Sequence, residues 1–250
     1  DRGMAAWLDR LKRLPLLEIR PIGQSRAGRV MYGFKVGHGA KVATITAGAH
    51  ADEPAGPLTA MGLLEWLGQD NDHAEKWRDM YTWLICPQVN PDGAEVNRHW
   101  FAAVPDFERY LDGVVRELPG DDIEFGYAGG GQGPLRPENE AVAAFFSSAG
   151  PADFHASMHS MAFASGAWFL LGGGSITNSY LQQLLADAAC HAGFGLHDVQ
   201  RNGEKGFRRL GRGFCTTPDS RAMARFFAER GDDAMAARFR FSSMEWTLDR

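Results

Sequence analysis

The sequence has 250 residues, 44% of them hydrophobic, and a formal net charge of −5 at pH 7. This length and apolar content are enough to bury one sizeable core or two small ones. Acidic and basic residues are interspersed, and no basic stripe indicates a nucleic-acid partner or a polybasic membrane surface. The longer apolar runs, such as ATITAGA and GAWFLLGGG, are far too short to span a bilayer.

The three cysteines, Cys86, Cys190 and Cys215, form no CxxC pair and no even disulfide framework. Cys86 lies in the apolar run YTWLICPQV, which is typical of a buried, inert thiol. These features favour a reducing compartment, and a cytoplasmic location is expected. The N-terminal stretch lacks a signal-peptide core and starts without Met, as expected where a leader has been removed or trimmed.

Apolar, β-branched segments alternate with helical segments along the chain. In chain order, we expect strands at 29–37 and 41–48, a helix from near Pro57 through Leu64, a strand within 77–89, a helix at 139–146, strands at 152–160 and 166–173, helices at 177–192 and 220–229, and a last strand within 238–247. Such alternation predicts an α/β fold with a mixed, mostly parallel sheet. The Gly/Pro-rich stretch 128–137 is typical of a loop, so residues 1–250 are expected to form a single domain.

Candidate metal ligands follow two of the expected strands. Open α/β sheets bind ligands at the carboxyl ends of their strands, where His50 lies, with Glu53 in the turn just beyond. A catalytic zinc usually takes three protein ligands and leaves a fourth position for water. The run DFHASMHSM offers His159 at its tip and His155 lower, in or under the sheet. For each residue alone, a hydrogen-bonded surface or core role is the commoner alternative.

Two further features stand at strand ends or in strands. NPDG, residues 90–93, directly follows the strand that ends near Val89 and is a strong turn signal. Glu245 interrupts the expected C-terminal strand, where an unpaired carboxylate would cost several kcal/mol. This feature alone is consistent both with a functional role for Glu245 and with a structural ion pair.

These motifs together carry a family resemblance. His50-Ala51-Asp52-Glu53, Asn90-Pro91-Asp92-Gly93, Ser157-Met158-His159-Ser160 and Glu245 occur in an order that resembles the zinc metallocarboxypeptidases, the carboxypeptidase A/B-like peptidases. The resemblance runs from about residue 18 to the C-terminus. It implies a three-layer α/β/α fold around a mixed, mostly parallel sheet of about eight strands. It also implies a protease or related hydrolase that holds one Zn²⁺ per chain.

The resemblance implies a role for each matching residue. His50, Glu53 and His159 would bind the zinc, and Glu245 would be the catalytic general base. Arg98, just after NPDG, best matches the arginine that polarises the carbonyl group. Asp52, between two ligands, is expected to cap the turn or support the site rather than to bind the metal.

The stretch GDDIEFGY departs from the family pattern. Asp122 matches a family Asp, but Glu124 and Phe125 stand where the family has the Asn-Arg pair that grips a substrate carboxylate. Phe214 stands near the place of the family's substrate-capping tyrosine. These four residues are candidates for substrate binding, and the acidic ones, with Asp121, would favour a cationic or amine-bearing substrate.

The sequence therefore predicts a zinc-dependent hydrolase that cleaves an amide bond in a peptide or small molecule, with atypical specificity. One alternative is a zinc-dependent deacylase of N-acyl amino acids, of the succinylglutamate desuccinylase/aspartoacylase type. Another is an inactive zinc-binding pseudoenzyme that acts as a binding module. Substrate identity and oligomeric state cannot be inferred. The chain ends five residues after Glu245, where the family usually continues with a helix, so a C-terminal truncation is an open expectation.

Overall fold

The structure, a computed structural model, describes residues 2–102, 106–161 and 163–250, with side chains from residue 6 onward. These residues divide into two compact units. The first unit is Asp1–Tyr127, Pro134–Ser160 and Arg250, and the second is Ala128–Gly133 and Met161–Asp249. The expectation of one catalytic domain over residues 1–250 stays a prediction.

Both units contain strands and helices. The strands are β1 (Glu18–Gln24), β2 (Val30–Val36), β3 (Lys41–Ala47), β4 (Tyr81–Cys86), β5 (Tyr127–Gly130), β6 (Phe154–Met158), β7 (Phe169–Leu171), β8 (Arg209–Gly211), β9 (Phe214–Thr216) and β10 (Arg240–Phe241). The α-helices are α1 (Arg2–Leu11), α2 (Ala55–Leu67), α3 (Asp72–Met80), α4 (Pro91–Phe101), α5 (Phe107–Gly113), α6 (Pro137–Ser147), α7 (Ser179–His191), α8 (Ser220–Ala228), α9 (Asp233–Ala236) and α10 (Ser243–Leu248). Short 3₁₀ helices span Gly173–Thr177 and Glu204–Gly206.

The first unit is built on a five-stranded sheet in the order β1-β2-β4-β3-β6. The β1/β2 and β2/β4 pairs are antiparallel, whereas β3 pairs in parallel with β4 and with β6. A mixed α/β sheet is therefore confirmed. The expected count of about eight strands is not, because the other strands of the described residues lie outside this sheet.

Helices cover both faces of this sheet. On one face, the alternate residues Ala43 and Ile45 of β3 pack with Leu64 of α2 in a buried apolar cluster. On the other face, Phe145 of α6 lies so close to Gly33 of β2 that a Cβ at Gly33 would be 2.7 Å from its ring. The first unit therefore has the expected α/β/α layers.

The NPDG motif starts helix α4 and holds the loop that follows β3. The side-chain oxygen of Asn90 accepts the backbone N–H of Gly93 at 2.9 Å, which caps the helix. The Asn90 amide also donates to the carbonyl of Ala49 at 3.3 Å. Gly93 packs directly on Ala51, because a Cβ at Gly93 would be 2.6 Å from the Ala51 Cβ. The start of α4 therefore sets the path of residues 49–51.

The second unit contains a three-stranded sheet in the order β7-β9-β8 and a short pairing of β10 with β5. Strands β7 and β9 are parallel, and β8 and β9 are antiparallel. Across the described ranges of both units, every helix is too short or too polar to cross a membrane.

The expected C-terminal strand within 238–247 is wrong beyond Phe241. Strand β10 covers only Arg240–Phe241, and Ser243–Leu248 forms helix α10. Ser242 caps this helix, and its hydroxyl and the Glu245 carboxylate form a reciprocal capping box. A serine followed three residues later by glutamate is a helix-start signal, which here outweighs the apolar character of the segment.

Replacing Gly93 with alanine is expected to lower the free energy of unfolding by about 1–3 kcal/mol, because the added methyl group overlaps Ala51 and the Asn90 amide. The matched control is Gly62→Ala, on an exposed position of α2 with no atom within 4 Å of the new Cβ. This control should be neutral or stabilise by up to about 1 kcal/mol. Urea denaturation measures both variants, and a Gly93→Ala protein as stable as the control would contradict the packing described.

Candidate functional site

A tight turn after β3 brings His50 and Glu53 together. Gly48 has a positive φ of 71°, which glycine adopts readily, and the N–H of Glu53 donates to the carbonyl of His50 at 3.3 Å. As a result, Nδ1 of His50 lies 2.7 Å from Oε1 of Glu53. The Glu53 side chain is only 8% exposed, so its carboxylate is buried beside His50.

His159 reaches the same point from the neighbouring strand. In the parallel β3/β6 pair, Ala47 lies opposite Met158, so the two strands end side by side. Nδ1 of His159 lies 2.8 Å from Oε2 of Glu53 and 3.2 Å from Nδ1 of His50. The N–H of Ser160 also donates to Oε2 of Glu53 at 3.1 Å.

The donor atoms of His50, Glu53 and His159 all lie within 4.8 Å of one another. Within residues 2–102, 106–161 and 163–250, no other group of three His, Cys, Asp or Glu side chains brings its possible ligand atoms this close together. Two imidazole nitrogens and a carboxylate oxygen are the ligand set of a catalytic zinc with one position left for water. The residues present therefore fit a zinc ion.

The charges in this triad are strongly coupled. Burial raises the pKa of Glu53, but hydrogen bonds from His159 and His50 outweigh burial and hold the pKa far below its usual range. Burial lowers the pKa of His159, but the nearby carboxylates of Glu124 and Glu53 outweigh burial and raise the pKa to about 10. The carboxylate is thus ionised, and its charge favours a cation beside it.

Arg116 is a site residue that the sequence reasoning missed. Its Nη1 lies 3.1 Å from Oδ1 of Asp52 and 3.3 Å from Oε1 of Glu53. Arg98, the expected candidate, has a side chain that is 58% exposed and pairs with Glu95 of the same helix. The structure therefore brings Arg116, and not Arg98, into contact with a residue of the triad.

Asn97 places Arg116 beside the triad. Its buried side-chain amide donates to the carbonyls of Ala51 at 3.0 Å and Val115 at 2.7 Å. Its side-chain oxygen accepts the N–H of Val115 at 2.9 Å. One buried asparagine thus ties the His50–Glu53 turn to the residue before Arg116. No sequence motif marks Arg116, because its position depends on this tertiary contact.

The 121–126 turn brings Glu124 against His159. Oε2 of Glu124 accepts a hydrogen bond from the Ser157 hydroxyl at 3.1 Å and lies 3.6 Å from Nε2 of His159. Asp122 accepts the N–H of Phe125 at 3.1 Å, and burial raises the pKa of Asp122. Phe125 is buried. Roles of Asp122, Glu124 and Phe125 in substrate binding stay predictions.

His155 lies below the triad, as expected from the sequence. A 2.9 Å hydrogen bond joins its Nδ1 to the hydroxyl of Thr44 in β3. Burial lowers the pKa of His155 to about 4, so the ring is neutral at physiological pH. It belongs to the packing of the sheet and not to the ligand group.

Glu245 and Phe214 belong to the second unit. Both carboxylate oxygens of Glu245 accept hydrogen bonds from Ser220, and Oε2 also accepts the N–H of Ser242 at 2.9 Å. Phe214 is buried in β9 and stacks on Phe169 with ring centroids 5.2 Å apart. Within its unit, Glu245 joins the starts of α8 and α10. Its catalytic role and the substrate contact of Phe214 stay predictions.

Known proteins that are similar to this chain include carboxypeptidases. A zinc carboxypeptidase from Simulium vittatum is 34% identical over 93 residues, which cover 35% of this chain and 31% of that protein. The structure of thrombin activatable fibrinolysis inhibitor is 19% identical with a TM-score of 0.58, over 99% of this chain and 62% of that one. A metallo-carboxypeptidase from Pseudomonas aeruginosa, in complex with (2-guanidinoethylmercapto)succinic acid, is 18% identical with a TM-score of 0.52, over 92% and 56%.

The two structural similarities support the carboxypeptidase-like fold. The match spans about a third of the length of the Simulium vittatum protein. The sequence profile of the zinc carboxypeptidase family, peptidase M14, matches residues 4–165, which is 162 of the 250 residues and includes His50, Glu53 and His159. The chain therefore belongs to the zinc carboxypeptidase family.

Proposed function

We propose that this protein is a zinc-dependent hydrolase that cleaves an amide bond in a peptide or a small molecule. The observation that carries the proposal is the convergence of His50, Glu53 and His159 within 4.8 Å at adjacent strand ends. Membership of the zinc carboxypeptidase family supports the same chemistry.

When bound, zinc supplies a Lewis acid that polarises a carbonyl group and lowers the pKa of water towards neutrality. His50, Glu53 and His159 would hold it. Glu245 takes a proton from the attacking water and delivers it to the leaving amine, as general base and then general acid. This role is proposed from the place of Glu245 in the family motif.

Arg116 stabilises the negative charge that develops on the substrate carbonyl oxygen, in place of Arg98. A guanidinium aimed at the reacting group acts through such charge stabilisation, which is usually a large part of catalysis. Contact of Arg116 with Glu53 supports this assignment, as does the pairing of Arg98 with Glu95 on an exposed face of α4.

The substrate is not an ordinary peptide C-terminus. Glu124 and Phe125 stand where the family carries its carboxylate-binding pair, and Phe125 is buried. Phe125 takes the place of the arginine, so this stretch offers no guanidinium to bind a terminal carboxylate. An amide whose neighbouring group carries no negative charge suits this stretch better. Hydrolysis of N-acyl amino acids and zinc binding without turnover are the competing functions.

The deciding experiment combines metal analysis with a panel of amide substrates, for the parent and Glu245→Gln. We expect one zinc per chain in both proteins, and a kcat at least about 100-fold lower in Glu245→Gln because the proton acceptor is lost. Ser220→Ala is the control, since it removes one hydrogen bond to Glu245 and keeps the carboxylate. Thermal unfolding of both variants separates loss of catalysis from loss of the helix caps.

The outcomes distinguish the competing functions. A protein without stoichiometric zinc would contradict the metal assignment. Zinc without any turnover that depends on Glu245 would favour a binding module. Turnover confined to N-acyl amino acids would favour the deacylase.

Arg116→Ala is expected to lower kcat/KM by about 100-fold or more, because it removes charge stabilisation from the transition state. Arg98→Ala, which removes an exposed guanidinium of the same type, should leave kcat/KM close to that of the parent. Steady-state kinetics on one cleaved substrate measures both. A larger loss of kcat/KM in Arg98→Ala than in Arg116→Ala would instead assign the stabilisation of the carbonyl oxygen to Arg98.

Zinc binding is expected to release about one proton from His159 near neutral pH. The pKa of His159 is raised from 6.5 to about 10, so its ring is protonated at neutral pH in protein stripped of metal, whereas a zinc ligand must be neutral. The apparent zinc affinity should therefore rise about tenfold per pH unit until the pH approaches the raised pKa. The stabilisation of the stripped protein by the His159–Glu53 pair is complete below pH 6.5 and is lost as pH rises through about 10.

Titration calorimetry in buffers of different ionisation enthalpy measures the released proton. His38→Gln is the control, because His38 is exposed and pairs with Asp79. The control should release the same number of protons as the parent. A binding heat that is independent of the buffer would contradict the protonated state of His159.

A further inference from the structure

The two nitrogens of the His159 ring have different partners. Nδ1 lies 2.8 Å from Oε2 of Glu53, on the side of the triad. Nε2, on the opposite side of the ring, lies 3.0 Å from the Ser157 hydroxyl and 3.6 Å from Oε2 of Glu124. Glu124 therefore approaches His159 from the side away from the other two candidate ligands.

The direction of these hydrogen bonds follows from the single hydrogen of the Ser157 hydroxyl. That hydrogen is donated to Oε2 of Glu124 at 3.1 Å. The oxygen of Ser157 must then accept from His159, so the proton of the neutral ring is on Nε2. This tautomer leaves the lone pair of Nδ1 for a metal ion.

Both partners of the ring are held by the fold. Ser157 lies opposite Thr46 in the β3/β6 pair. His159 follows two residues later, so both side chains are on the same side of the extended chain. The turn that carries Glu124 is fixed on both sides. Asn139 donates to the carbonyl of Ile123 at 2.8 Å, and the N–H of Phe125 donates to Asp122. The Glu124 side chain is only 12% exposed.

We propose that Glu124 is a positioning residue for the metal ligand His159, acting with Ser157, and that it does not contact the substrate. The inference rests on the proposed zinc hydrolase. A carboxylate that hydrogen-bonds the remote nitrogen of a ligating histidine fixes the ring and its tautomer and makes the ligand more basic. Here Glu124 hydrogen-bonds directly to Ser157, and its carboxylate lies farther, at 3.6 Å, from Nε2 of His159. Glu124, although it stands in the family's carboxylate-binding stretch, thus supports the metal site instead.

The test measures zinc affinity in the absence of substrate. Zinc is titrated into stripped protein against a chromophoric chelator for the parent, Glu124→Gln, Ser157→Ala and the double variant. Glu124→Gln and Ser157→Ala should each weaken zinc binding by about 10–100-fold. The double variant should be little weaker than the worse single variant, because both residues act through one chain of hydrogen bonds. Glu140→Gln, which neutralises an exposed carboxylate on α6, should bind zinc as the parent does.

Kinetics at saturating zinc separates positioning from substrate contact. For a positioning residue, Glu124→Gln lowers kcat and leaves the ratio of KM values for acidic and basic substrates unchanged. Unchanged zinc affinity together with a changed ratio of KM values would overturn the proposal and make Glu124 a substrate contact.

Two further measurements separate misfolding and the failure of the proposed function from the failure of the role of Glu124. Thermal unfolding of stripped protein checks that each variant is folded, and if Glu124→Gln does not fold, Ser157→Ala alone decides by its zinc affinity. Absence of zinc binding in the parent would reject the proposed function itself. A parent that binds zinc and turns over substrate, with variants of equal zinc affinity, would reject only the role of Glu124.

Discussion

The parallel pairing of β3 with β6 is the constraint on which the site depends. With Ala47 opposite Met158, the two strands end at the same edge of the sheet, and His159 emerges beside the turn that carries His50 and Glu53. A slip of one residue in this register would turn the side chain of His159 to the opposite face. The register is secured by burial, since β3 is covered on both faces and is buried from Val42 to Ala47.

A second layer of polar side chains holds the chain around this edge. Asn90 and Asn97 are fully buried. The side-chain amide of Asn90 donates to the carbonyl of Ala49, and that of Asn97 donates to the carbonyl of Ala51. Buried amides of this kind are costly unless all their groups are hydrogen-bonded, and here they define one arrangement of the loop. The geometry of the triad is thus set by residues that do not reach it.

Much of the first unit could be predicted from the sequence. The strands that carry the triad are apolar and β-branched, and the rule that ligands gather at carboxyl strand ends pointed to His50, Glu53 and His159. The position of His155 beneath them followed from the alternation of side chains along a strand. These inferences use local patterns, which the fold preserves.

The rest depends on contacts that local patterns do not encode. Arg116 reaches the triad only because Asn97 holds Val115, and Arg98, which stands nearer to a motif, points to an exposed surface instead. The apolar neighbours of Glu245 predict a strand, although Ser242, three residues earlier, starts a helix. The sheet has fewer strands than expected because much of the remaining β-structure consists of strands of two to four residues, which carry little periodicity.

The contact between Gly93 and Ala51 links the evolution of two distant segments. Ala51 separates a candidate metal ligand from the residue that pairs with Arg116, and the space beside it is filled by the backbone of α4. A methyl group at position 93 requires glycine at position 51, whereas added volume at position 51 has no compensation at position 93, which is already glycine. Among homologous chains, correlated changes at positions 51 and 93 would therefore trace selection on metal geometry through residues that bind no metal.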